Sequence, residues 1–87
     1  MTEAFLTALE ALPNGYFKAT YNGAPYGVTV ERLSGGRQIK LYAEALGGAD
    51  HVSFNLYLPT SGKILLKPCE MPAEKVMRFV EGLERAR

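Results

Sequence analysis

Cysteine and histidine occur once each in this chain of 87 residues, as Cys69 and His51, and tryptophan is absent. A single thiol cannot close an internal disulfide, which excludes the stapled framework of small secreted domains. One Cys and one His cannot complete a four-ligand zinc site. They also make a poor catalytic pair, because a thiolate worked by an imidazole needs a third group to orient the base, and no Asn or Asp stands at a spacing that suggests one. Cys69, in Lys67-Pro68-Cys69-Glu70-Met71-Pro72, is expected to be a buried or inert thiol packed under the last helix. Ser34-Gly35-Gly36-Arg37 lacks the Gly-Lys-Ser/Thr ending and the strand–loop–helix setting of a phosphate loop, so it reads as a hairpin turn. Asp50-His51 reads as turn chemistry at a strand start. No cofactor is implied, and a non-enzymatic protein is expected. No apolar run approaches the ~20 residues of a membrane-spanning helix. The N-terminal Met-Thr-Glu-Ala-Phe has neither the basic nor the apolar region of a secretory signal, so a reducing cytoplasm is the expected compartment.

What the chain has is an ordinary globular composition, 47% hydrophobic and 22% charged, at a length that suits one domain. The net charge of +1 is unevenly placed. Residues 14–68 carry Lys18, Arg32, Arg37, Lys40, Lys63 and Lys67 against Glu31, Glu44 and Asp50, a net +3, and the flanks carry −2. That bias is compatible with phosphate contact, is too thin for a dedicated duplex-DNA binder, and excludes an acidic DNA mimic.

Four turn signals punctuate the middle of the chain: Asn22-Gly23, Ser34-Gly35-Gly36, Gly47-Gly48-Ala49-Asp50 and Pro59-Thr60-Ser61-Gly62. Turns this tight join antiparallel neighbours, which predicts a five-stranded meander with strands at about 16–21, 25–33, 37–46, 51–58 and 62–67. Alternation is clearest in the fourth strand, where Val52, Phe54, Leu56 and Leu58 share one side. The same parity puts Phe17, Ala19, Tyr21, Val28, Val30, Ile39, Leu41, Ala43, Ile64 and Leu66 inward.

Two helices flank the meander. Phe5, Ala8, Leu9 and Leu12 have helical spacing over residues 3–12, with Thr2 as N-cap and Pro13-Asn14-Gly15 as the stop. After Pro72, the residues Val76, Phe79, Val80 and Leu83 form a second stripe, with Glu74–Arg78 and Glu81–Arg85 as i, i+4 pairs. Gly82 inside this stripe implies either a close approach to the sheet or fraying of the last turn. An α+β domain follows: helix, five strands, helix, in two layers with both helices on one face of the sheet.

The other face collects Tyr16, Lys18, Gln38, Lys40, Tyr42, Asn55, Tyr57, Lys63 and Lys67, together with Thr20, Thr29, Glu31, Glu44 and Ser53. Tyrosines offer stacking surfaces, lysines mobile positive charge, and Gln38 and Asn55 hydrogen bonds to base edges, which is the combination that holds single-stranded nucleic acid. The same composition also suits a plain solvated sheet face, where Tyr and Thr are good strand formers and Lys maintains solubility. Glu31 and Glu44 could face each other across neighbouring strands as a carboxylate pair, but the gap between them, with Lys40 nearby, makes a charge ladder the expected role.

From the third strand onward, the strand order, the segment Gly62-Lys63-Ile64-Leu65-Leu66-Lys67 and the C-terminal helix resemble the layout of the transcriptional-coactivator and Whirly group of single-strand DNA-binding proteins. The resemblance covers residues 25–83 and is one of layout, without a residue-level motif. It implies a curved sheet that binds unpaired strands, usually as a homodimer. A second class is carried beside it: small inhibitors encoded by phages and mobile elements, anti-CRISPR proteins among them, which occlude a surface on a larger protein or nucleoprotein machine. A patch of Tyr, Lys and Asn suits that role equally.

Overall fold

Thr2 opens the described chain, residues 2–85 of a computed structural model, by capping the first helix. Its hydroxyl accepts from the Phe5 amide at 3.2 Å and itself donates to the Glu81 carboxylate at 3.3 Å. Helix α1 (Glu3–Glu10) is followed by β1 (Gly15–Tyr21), β2 (Ala24–Leu33), a single 3₁₀ turn at Ser34–Gly36, β3 (Gln38–Ala45), β4 (His51–Tyr57), β5 (Leu65–Pro68), α2 (Ala73–Gly82) and β6 (Glu84–Arg85). The strands form one sheet in the order β5-β4-β3-β2-β1-β6, antiparallel at every pairing. The hairpin of β1 and β2 turns on Asn22 and Gly23, both with positive φ, the geometry whose twist matches the strands it joins.

The sheet has six strands where five were expected. The residues after Gly82 have the pattern of a continuing helix, yet Leu83 is extended and Glu84 pairs with Thr20 on the free side of β1. A β-carbon on Gly82 would stand 3.0 Å from the Tyr21 ring, so glycine lets the last turn of the helix run close over the sheet, and from there the extended Leu83 brings Glu84 to the edge of β1. Arg85 therefore lies in a strand, and the expected Glu81–Arg85 helical pair does not exist. Starting beyond β5 at one edge, α2 carries the chain across to β6 at the other.

The inward parity is largely as expected. Val28, Val30, Ile39, Leu41, Ala43, Val52, Phe54 and Leu56 join Phe5, Leu9 and Leu12 from the α1 region, and Val76, Phe79 and Val80 from α2, in one buried cluster. Phe17, Tyr21, Leu66 and Leu83 pack around it half-buried. Ile64 is the exception, 37% exposed. The chain between Tyr57 and Leu65 leaves the sheet, so β5 starts three residues later than the predicted 62 and Ile64 lies outside the ladder. Helix α1 likewise ends at Glu10, two residues before the predicted 12, although Leu12 remains buried.

Two polar devices fasten the layers. Arg32, on β2, reaches the C-terminal end of α1, where its guanidinium donates to the carbonyls of Leu9 (3.2 Å), Glu10 (3.4 Å) and Leu12 (3.0 Å) and to Asn14 Oδ1 (2.6 Å). A cation there satisfies the last carbonyls and complements the negative end of the helix dipole. Asp50, in the turn before β4, accepts from Lys75 Nζ of α2 at 2.6 Å and from the Tyr26 hydroxyl at 2.8 Å. Tyr26 is itself buried in a ring cluster with Tyr21 and Phe79, its centroid 5.1 Å from that of Phe79.

Phe54 is 1% exposed and packs against Phe5 with ring centroids 5.9 Å apart. Phe54→Ala is expected to cost about 3–5 kcal/mol. A loss below about 1 kcal/mol in reversible urea unfolding contradicts this packing.

The hydrogen bond from Lys75, reinforced by the one from Tyr26, holds the Asp50 carboxyl below its ordinary pKa. A depressed carboxyl contributes stability above its unfolded pKa and loses it as pH falls through the folded value. Asp50→Asn should therefore be less stable than the parent at about pH 7, and the difference should close as pH drops below about 4. Burial, with the bond to Asp50, pushes Tyr26 up to about 12, so its contribution is present below the unfolded value near 10 and is lost as pH rises through the folded one. Unfolding midpoints of both proteins across pH check the acid limb; a stability gap that does not change from neutral to acid pH contradicts it.

Candidate functional site

Residues opposite each other in an antiparallel ladder share a face, so the register lays the outward side chains in rows across the sheet. One row runs Lys67, Asn55, Lys40, Glu31 across β5, β4, β3 and β2. The next runs Ser53, Tyr42, Thr29, Tyr16 across β4, β3, β2 and β1. On one side of these two lies His51, Glu44, Gly27, Lys18, and on the other Leu65, Tyr57, Gln38, Leu33. Eight of the nine side chains proposed for this surface thus stand on β1, β3, β4 and β5. The ninth, Lys63, does not, because it belongs to the excursion between β4 and β5.

The middle two rows frame an open depression of about 190 Å³ lined by Thr29, Glu31, Lys40, Tyr42, Ser53 and Asn55. At ~30 Å³ per water that is room for about six molecules, the scale of one heterocyclic base. Its polar side chains are partly preset. Gln38 Nε2 donates to Asn55 Oδ1 at 3.3 Å, and the Tyr42 hydroxyl donates to Glu44 Oε2 at 3.4 Å while the side of the residue remains open, 48% exposed. Lys67, opposite Asn55, stands at the border of the depression.

Tyr16 is 60% exposed, yet its ring is not free. A β-carbon on Gly27 would meet the Tyr16 hydroxyl oxygen at 2.6 Å and ring carbon Cε1 at 3.0 Å, so the ring lies in the space a strand side chain would occupy. An aromatic covering a strand glycine supports the sheet where the glycine cannot.

Glu31 stands opposite Lys40, as a charge ladder requires, while Glu44 is opposite Gly27 and the two carboxylates do not pair. Two expectations change. Cys69 is exposed, not packed beneath α2; its amide donates to the Ser53 carbonyl at 3.0 Å and prolongs the ladder between β4 and β5. Thr29, Glu31 and Ser53, assigned to the outer face but not to the site, line the depression. The signal for them is the register. Asn22-Gly23 alone sets Tyr16 opposite Thr29, but the remaining rows depend on loop lengths after Leu33 and Ala45 that composition does not fix.

The outer face carries cations at Lys18, Lys40 and Lys67 against carboxylates at Glu31, Glu44 and, opposite Thr20, Glu84, a balanced field. Among the described residues no group of three or more His, Cys, Asp or Glu side chains could hold a metal ion, and no helix is long and apolar enough to cross a membrane. Comparison with protein-family models, with curated proteins and with solved structures finds no match.

In Gly27→Ala the new methyl group should push the Tyr16 ring off the sheet. Because the ring is exposed it can swing away, so the stability should stay within about 1 kcal/mol of the parent. Tyr16 ring resonances should move toward free-tyrosine values in NMR spectra; unchanged shifts contradict the covering role.

Proposed function

We propose that this protein is a non-enzymatic binding module that takes single-stranded nucleic acid on the outer face of its sheet. The observation that carries the reading is the convergence of Tyr42, Lys40 and Asn55 on one open depression. Each supplies a different part of strand recognition. Tyr42 stacks a base, Lys40 pairs with a phosphate, and Asn55, steadied by Gln38, offers an amide to a base edge. Tyr16 on one side and Lys67 on the other extend the track across the sheet, and Lys18 and Tyr57 border it. The layout resemblance to single-strand binders of the coactivator and Whirly group points the same way. Affinity should fall steeply as salt rises, since counterion release accompanies each neutralised phosphate.

A second reading, a protein that occludes a partner's surface as phage-encoded inhibitors do, is favoured by the exposed Leu33 and Leu65 at the two ends of the row through Gln38 and Tyr57, with Ile64 next to Leu65 in the chain. Apolar contacts of that kind respond little to ionic strength.

Fluorescence anisotropy with a labelled single-stranded oligonucleotide separates the two. Binding at low salt should weaken about tenfold in Tyr42→Ala through lost stacking. Lys40→Ala should lower the salt slope by about one contact's worth. No detectable binding at low salt overturns the nucleic-acid reading in favour of a protein partner.

A further inference from the structure

A carboxylate in the middle of a surface for a polyanion needs a reason. Glu31 lines the depression, directly opposite Lys40 in the sheet. Among the described residues the one ion pair is Asp50 with Lys75, so Glu31 and Lys40 do not close on each other. The depression therefore offers, side by side, an acceptor that cannot donate and a donor that cannot accept. Toward the phosphate backbone Glu31 is only repulsive. Toward a base edge it is selective.

Resting on the nucleic-acid reading above, we infer that the depression receives one base of the unpaired strand and that Glu31, with Lys40 beside it, favours bases bearing an exocyclic amino group over thymine and uracil. Cytosine and adenine each present an amino group next to a ring nitrogen acceptor, so the amine donates to Glu31 while the ring nitrogen accepts from one of the three N–H donors of Lys40, the others remaining for the phosphate. Guanine presents its ring N–H and amino group to the carboxylate and its carbonyl to the ammonium. Thymine and uracil have a single ring N–H set between two carbonyl oxygens. When that N–H donates to Glu31, Lys40 meets one of the two oxygens, but the other is left against the carboxylate, a repulsion that cytosine and adenine do not incur. The pairing needs no oxidation, bond cleavage or bound metal; it is discrimination by complementary hydrogen bonding alone.

Labelled homo-oligomers of cytidine and uridine, and of deoxycytidine and thymidine, test it with the intact protein at low salt. The cytosine oligomer should bind about tenfold tighter than its partner in both sugar series, since the contact is to the base edge. Glu31→Gln should bring this ratio below about twofold, because the amide can both donate and accept. Removing the charge should also tighten binding of every oligomer somewhat, so the ratio is the readout and not the affinity. Equal binding of cytosine and uracil oligomers, a preference confined to one sugar series, or a ratio that survives in Glu31→Gln overturns this inference while leaving the nucleic-acid reading in place. Failure of all four oligomers to bind defeats that reading itself.

Discussion

Alternation with a period of two along the strands commits every second side chain of β1 to β4 to a single apolar layer, and the rest of the molecule follows from that one-sided burial. Neither helix is long enough to persist alone, with eight residues in α1 and ten in α2. Both are held because Phe5 and Leu9, and Val76, Phe79 and Val80, fill the same layer as Val28, Leu41 and Phe54. The side chains between these inward residues are left outside, and they assemble the rows that make a surface.

Ends of elements, where burial is incomplete, are fastened by polar contacts. Arg32 closes the carbonyls at the end of α1, and Asp50 ties the turn before β4 to α2 through Lys75 and to the sheet through Tyr26. These contacts lie on the covered side and at the sheet's ends, away from the central depression of the outer face. The core and its fastenings are thus separate from the outer face, and Tyr42, Lys40 and Asn55 stand on strands whose relation is set by the buried layer beneath them.

The antiparallel order and the inward parity were legible because tight turns and alternation are local signals. Thr2, Phe54 and the Asn22-Gly23 hairpin all stand where such signals put them. The sixth strand was not legible, since the pattern around Glu81 and Arg85 is helical and the strand is made by pairing of Glu84 with Thr20, a contact distant in sequence. Ile64 and Lys63 were misplaced for a related reason: parity holds only inside a ladder, and the excursion before Leu65 has left it. At the site, Tyr16, Lys40, Tyr42 and Asn55 could be assigned to one face from parity, whereas their arrangement with Glu31 around a depression depends on the register of three separate pairings.

The central claim is spatial: an unpaired strand lies across the middle of the outer face. Amide and side-chain NMR shifts of the full chain, titrated with a short single-stranded oligonucleotide, address it directly. The account predicts perturbations at Thr29, Glu31, Lys40, Tyr42, Ser53 and Asn55, extending to Tyr16 and Lys67, with Glu3–Glu10 and Ala73–Gly82 unmoved. Perturbations concentrated on the helices, or confined to Leu33, Ile64 and Leu65, would contradict it.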